Sequence, residues 1–126
     1  MGRAWGRLPE RSDFLRVAAQ GIRQGTPAFL LQCATQAAVQ SQMRVGFTAS
    51  RKIGNAVIRN RAKRRLRAAA DAALSTMTQQ NVDMVLVARH SATTRDFSEM
   101  TTDLRKAAER IFRQLSQRQP TPTAAP

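Results

Sequence analysis

Apolar and polar residues alternate along some parts of this chain and recur at three- and four-residue steps along others. From Gln42 to Ser50 the alternation is clean. Met43, Val45, Phe47 and Ala49 point one way, and Arg44, Gly46, Thr48 and Ser50 the other, as on a half-buried strand. Residues 27–34 (PAFLLQCA) predict another strand. Residues 82–89 (VDMVLVAR) are apolar almost throughout, which predicts a strand covered on both faces and therefore central. The Ala- and Gln-rich link between the first two carries no strong turn signal.

Helical periodicity occurs three times. In PERSDFLRVAAQG (9–21), Pro9 suits a first turn, Ser12 and Asp13 a helix start, and Gly21 a stop. Phe14, Val17 and Ala18 would share a face. The second helix, AVIRNRAKRRLRAAADAAL (56–74), follows Asn55, a good N-cap. At 100° per residue, Ile58, Ala62, Leu66, Ala69 and Ala73 form a narrow stripe that would pack on a sheet. The third opens at Asp96 with Glu99 three residues on, a capping-box spacing, and Phe97, Met100, Leu104, Ala108, Ile111 and Leu115 recur along it. The order helix, strands, helix, strand, helix predicts an α+β sandwich with helices on a small sheet. One domain over residues 1–115 fits the length, and the Pro-rich, polar 116–126 predict a disordered tail.

Charge changes the picture. The net charge is +13, and the eleven Arg and Lys residues between Phe14 and Ala70 have no Asp or Glu among them. Residues 59–67 read RNRAKRRLR, and Arg59, Arg61, Lys63, Arg64, Arg65 and Arg67 cover most of the helix outside its apolar stripe. Like charges three or four residues apart destabilise a helix by a few tenths of a kcal/mol per pair, roughly. A polyanion would relieve that repulsion. No window approaches the ~20 apolar residues of a membrane span, and no secretory signal is expected, so the expected compartment is the cytoplasm, without a membrane partner. Cys33, the one cysteine, leaves no intrachain disulfide and reads as a small core residue. His90 has no Ser, Cys or carboxylate set to suggest a triad or metal site. Asp83 reads as a salt-bridge or turn residue.

The run VGFTASRKIGNAVIRNRAKRRLRAA (Val45 to Ala69) resembles the signature of the bacterial ribonuclease P protein component. The match includes Ser50-Arg51-Lys52 after the strand, Gly54-Asn55-Ala56-Val57, and the Arg59-Asn60-Arg61 helix with Lys63, Arg64 and Arg67. Arg7-Leu8 with Asp13-Phe14, Val85 to Arg89 and the closing amphipathic helix extend it. The resemblance implies a two-layer αβββαβα sandwich with a left-handed crossover through the basic helix, of the kind also found in ribosomal proteins. That is one strand more than the periodicity locates. It implies a chain without catalytic side chains, a subunit of an endoribonuclease that removes the 5′ leader of precursor tRNA. The catalytic RNA would hold the Mg²⁺, with one protein per RNA.

The resemblance further implies two RNA surfaces. Arg59, Asn60, Arg61, Lys63, Arg64, Arg65 and Arg67 would face the catalytic RNA. Phe14, Phe47, Ser50, Arg51, Lys52 and Arg89 would hold the leader of precursor tRNA. Arg offers bidentate and stacking contacts to phosphates and bases, and aromatic rings stack on bases of any sequence. The chain departs from the family where Ala18 replaces a second helix aromatic and Gln32 a strand Tyr. Phe14 is also readable as a core residue, Phe47, on the apolar face of its strand, reads better as one, and a solvated face is the lesser alternative for the basic run. A ribosomal or ribosome-assembly protein of similar fold is the alternative. A self-sufficient nuclease lacks the acid–base groups, and a DNA-binding helix-turn-helix lacks the short preceding helix.

Overall fold

The computed structural model describes residues 5–36, 38, 42–77 and 81–118. Strand β1 (Trp5–Arg7) leads into helix α1 (Arg11–Gln20). Three strands follow: β2 (Ile22–Gly25), β3 (Phe29–Thr35) and β4 (Met43–Thr48). A 3-10 turn, Arg51–Ile53, precedes α2 (Ala56–Leu74), then β5 (Val82–Ala88), a second 3-10 turn (His90–Thr93) and α3 (Phe97–Arg118). From α1 onward the order is αβββαβα, and β2 is the strand the periodicity missed. At four residues it is too short to carry a period-2 signal.

The sheet runs β1-β4-β5-β3-β2, so the nearly all-apolar β5 is indeed central. It pairs parallel with β4 and antiparallel with β3. The crossover between the parallel neighbours β4 and β5 is α2. Met43 and Val45 of β4 join Met84, Leu86 and Leu31 in one core beneath α2 and α3. On the other sheet face, Val85 and Ala34 meet Leu8 and Val17 in a smaller cluster, flanked by Phe14 and Val87. Helix α1 therefore adds a layer of its own to the two-layer arrangement expected.

Side-chain chemistry sets the element ends. Asn55 caps α2, its Oδ1 accepting from the Ile58 N–H at 3.0 Å. Asp96 caps α3 by accepting from the Glu99 N–H at 3.0 Å. Gly21 stops α1 at φ −79°, so its role is close approach: a Cβ there would lie 2.5 Å from the Val17 carbonyl oxygen and 2.9 Å from that of Cys33. Helix α1 begins at Arg11, two residues after Pro9.

Two expected packing residues are not covered. Ile58 is 36% exposed and Phe97 42%, while Ala62, Leu66, Ala69 and Ala73 of the same α2 stripe are buried. Cys33 is buried, and burial pushes its thiol pKa up. Helix α3 continues to Arg118, so 116–118 are helical, and 119–126 lie outside the described residues, as does most of the Ala/Gln link. Among the described residues no helix is long and apolar enough to cross a membrane.

One buried charge fastens α1 to the sheet. Asp83 is fully buried on β5. Arg44 of β4 grips it with two bonds, Nε to Oδ1 at 2.9 Å and Nη2 to Oδ2 at 2.7 Å. Arg16 of α1 donates to the same Oδ2 and also to the Thr35 carbonyl at 2.9 Å. Burial alone would raise this carboxyl's pKa, but the hydrogen bonds from Arg44 and Arg16 outweigh it and hold the pKa below the usual carboxylate range.

Candidate nucleic-acid interface

The fold sorts the cations of α2 into three rows, because residues four apart stack on one side of a helix. Arg59, Lys63 and Arg67 form one row, Asn60 and Arg64 the next, and Arg61 and Arg65 the third. Among the described residues, the ion pairs formed involve Arg16, Arg44 and Arg95, and none reaches Arg59, Arg61, Lys63, Arg64 or Arg67. None of these ion pairs among the described residues offsets their mutual repulsion.

The first row borders a cleft. Strand β1 covers only the start of the β4 edge, pairing Trp5 with Met43, Gly6 with Arg44 and Arg7 with Val45. Leu8 adds one more bond, donating its N–H to the Val45 carbonyl at 3.1 Å, and covers the buried Gly46; past it β4 has no strand partner on that side, and Phe47 is half-buried. A cleft of about 250 Å³ forms there, lined by Arg7, Phe14, Phe47, Lys63 and Arg67 among others. Phe14 and Phe47 reach it from opposite faces of the sheet. Phe14 lies directly over the β4 backbone, where a Cβ on Gly46 would fall 2.4 Å from its Cζ. Phe47 packs edge-on against Trp5, with centroids 5.6 Å apart, and the Arg67 guanidinium lies over its ring at 5.3 Å. Both phenylalanines are half-buried, so each combines packing with an accessible edge.

Lys63 and Arg67, read from the sequence with the catalytic-RNA group, are thereby brought to the same cleft as Phe14 and Phe47. Trp5 and Arg7 also line the cleft and were not read as site residues, although Arg7 entered the family resemblance. Their signal is faint: the chain's one Trp, in a three-residue strand, beside an Arg.

The remaining predicted residues lie at the C-terminal ends of the parallel strands β4 and β5. Ser50, Arg51 and Lys52 are exposed, while the neighbouring Ile53 is buried and anchors the 3-10 turn. Gly54 then turns the chain into α2 at φ +152°, a conformation that disfavours a side chain. The turn therefore displays Arg51 and Lys52 to solvent. Arg89 extends β5 but leans towards the β2–β3 turn, donating from Nη1 to the Thr26 carbonyl at 2.7 Å. Gln32 is buried in β3 and offers no ring or surface to the cleft.

Arg65 has an internal role. Its Nη1 donates to the Ala92 carbonyl at 2.7 Å and its Nη2 to the Arg95 carbonyl at 2.6 Å. It ties α2 to the turn ahead of α3, so five α2 cations rather than six keep their donors unengaged by these carbonyls.

The arrangement suits single-stranded and structured RNA, which proteins grip with cations along the backbone and aromatic rings on the bases. Among the described residues, no group of three or more His, Cys, Asp or Glu side chains is placed to hold a metal ion. The cationic interface does not fit a resident Mg²⁺.

Comparison with known proteins agrees with this geometry. The family model described as Ribonuclease P matches residues 4–112. The ribonuclease P protein component of Ruegeria pomeroyi is 46% identical over 106 residues, covering 82% of this chain and 84% of that protein. That of Paramagnetospirillum magneticum is 40% identical over 108 residues, covering 83% and 81%. The solved RNase P protein from Thermotoga maritima superposes with a TM-score of 0.69 at 25% identity, covering 83% of this chain and 96% of that one. On these grounds the chain belongs to the ribonuclease P protein family.

Proposed function

We propose that the chain joins a catalytic RNA and helps it remove the 5′ leader of precursor tRNA, the RNA performing the hydrolysis. The supporting observation is the cleft at the β4 edge, where two phenylalanines meet the Lys63–Arg67 row. Its size and lining fit one base of a single strand, with the flanking phosphates on Lys63 and Arg67. Aromatic stacking there is worth ~1–3 kcal/mol per base without demanding a particular sequence. The outward cations Arg61 and Arg64 are left for the catalytic RNA, with Asn60 able to bond a ribose hydroxyl or base edge. Arg51 and Lys52 would guide the leader past the end of β4.

In this reading the protein's residues bind, orient and screen. On that reading the RNA holds the Mg²⁺, and the cationic surface of the protein lies beside it. The cations would lower repulsion between two polyanions that must lie side by side, an effect that weakens as salt rises. The test is precursor-tRNA cleavage by the catalytic RNA at low magnesium. Added protein is expected to accelerate cleavage, and protein alone to cleave nothing. Equal RNA activity with and without the chain would refute the proposal.

A further inference from the structure

Ile58 is the member of the α2 apolar stripe that the fold leaves open, and it has an unusual setting. With Arg61, His90, Thr93 and Thr94 it lines a groove of about 320 Å³ between α2 and the 3-10 turn after β5. We propose that this groove receives one unpaired base of the catalytic RNA, with the adjoining phosphate on Arg61. The inference rests on the reading of α2 as an RNA-binding helix, and adds a defined subsite to it.

Size decides the scale of the occupant. The groove lies at the low end of the ~300–1,000 Å³ typical of small-molecule sites, enough for a base but not for a duplex. Its chemistry suits a base: an aliphatic Ile58 side chain, threonine methyls and the His90 imidazole, against which a flat ring can stack. Its charge suits RNA. Arg61 is exposed at the rim, Arg64 lies one helical turn further, and no lining residue carries a carboxylate. A second copy of this chain, itself +13, would be repelled by the same field.

The groove is also held in shape before anything binds. Arg65 fastens the far wall to α2 through the Ala92 and Arg95 carbonyls. Thr93 Oγ1 donates to the His90 carbonyl at 3.1 Å, and Ser91 Oγ to the Pro27 carbonyl at 2.7 Å. A preformed site avoids the ordering cost that binding otherwise incurs. Arg65 thus acts as a positioning residue.

The experiment uses the full chain bound to the catalytic RNA, with a base-specific chemical probe and affinities measured over a salt series. Wild type is expected to shield one unpaired base. Ile58→Ser and His90→Ala should each expose that base and weaken affinity about tenfold, within the range of a lost stacking contact, without changing the salt slope. Arg64→Ala should instead lower the slope by about one and leave the base shielded. If Ile58→Ser and His90→Ala bind and protect like wild type, the subsite is refuted while the RNA-binding reading survives. If wild type fails to bind the RNA at all, that broader reading falls. If wild type sediments as a dimer that Ile58→Ser dissociates, the occupant is protein and the proposal is overturned.

Discussion

The Arg67 guanidinium lies over the Phe47 ring, 5.3 Å from its centroid, at the mouth of the cleft where Phe14 arrives from the other side of the sheet. The ring and the cation therefore form one unit: Phe47 supports a flat, charged plate that can face a base. Lysine would keep the charge but lose the plate. Arg67→Lys is expected to weaken precursor-tRNA affinity of the assembled enzyme about 2- to 5-fold, from a cation–π contribution of ~0.5–1 kcal/mol. Arg67→Ala should weaken it further. Binding titrations with precursor tRNA check this, and the contrast requires mature tRNA, lacking the leader, to be bound equally by all three proteins.

Asp83 is a fully buried carboxylate held by two arginines, Arg44 and Arg16. Replacing it with Asn leaves Arg44 and Arg16 facing a neutral partner in a buried site, and breaking such a pair costs ~3–5 kcal/mol. Urea denaturation of Asp83→Asn should register a loss of that order. The pH dependence has a definite sign. The folded-state pKa lies below the ordinary 3.8, so the stabilisation is fully present above 3.8 and is lost as pH falls through the lower folded value. Wild type should therefore lose stability as pH falls from 3.8 through that lower value, and Asp83→Asn should show a shallower acid limb.

Gly46 is the seat of Phe14. Gly46→Ala places a methyl 2.4 Å from the ring's Cζ, so the ring or α1 must move. Overpacking of this kind costs about 1–3 kcal/mol. Thermal melts should report the loss, and precursor-tRNA affinity should fall with it, whereas catalytic-RNA affinity should stay within about twofold.

Arg65 separates a structural cation from a binding one. Arg65→Ala removes two charge-assisted bonds to backbone carbonyls, each worth ~1.5–3 kcal/mol where fully buried and less at this half-buried position. It should lower the melting temperature while leaving the salt slope of RNA binding near wild type. Arg64→Ala should do the reverse, reducing the slope and sparing the melting temperature.

Much of this was legible in the sequence, and the failures share a cause. The bounds of α2, the Asn55 and Asp96 caps, the alternation of β4 and the central place of β5 are local properties, written in three- to five-residue spacings. Asp83 was readable as a salt-bridge residue because an acid in an apolar strand needs a partner. The misses all depend on the chain meeting itself far away. Arg65 reads as one more surface cation until its carbonyl partners, 27 and 30 residues on, come into view. Ile58 and Phe97 fit their helical stripes by phase, yet each stands at the first turn of its helix and stays more than a third exposed. Strands β1 and β2, of three and four residues, are defined by their neighbours rather than by their own pattern. The cleft is the clearest case: Phe14 and Phe47 converge only because β1 ends early and leaves the end of β4 without a strand partner on that side.

The most direct test of the whole account is the salt dependence of binding to the catalytic RNA. Arg59, Arg61 and Arg64, the α2 cations that do not line the cleft, are expected to contribute about −2 to −3 to the log–log slope, at ~0.7–0.9 per phosphate contact. Replacing Arg59, Arg61 and Arg64 together with Ala should bring the slope of that protein about 2 to 3 nearer zero. A slope that stays at the wild-type value in the triple variant would mean that α2 does not grip the RNA, and would contradict the account.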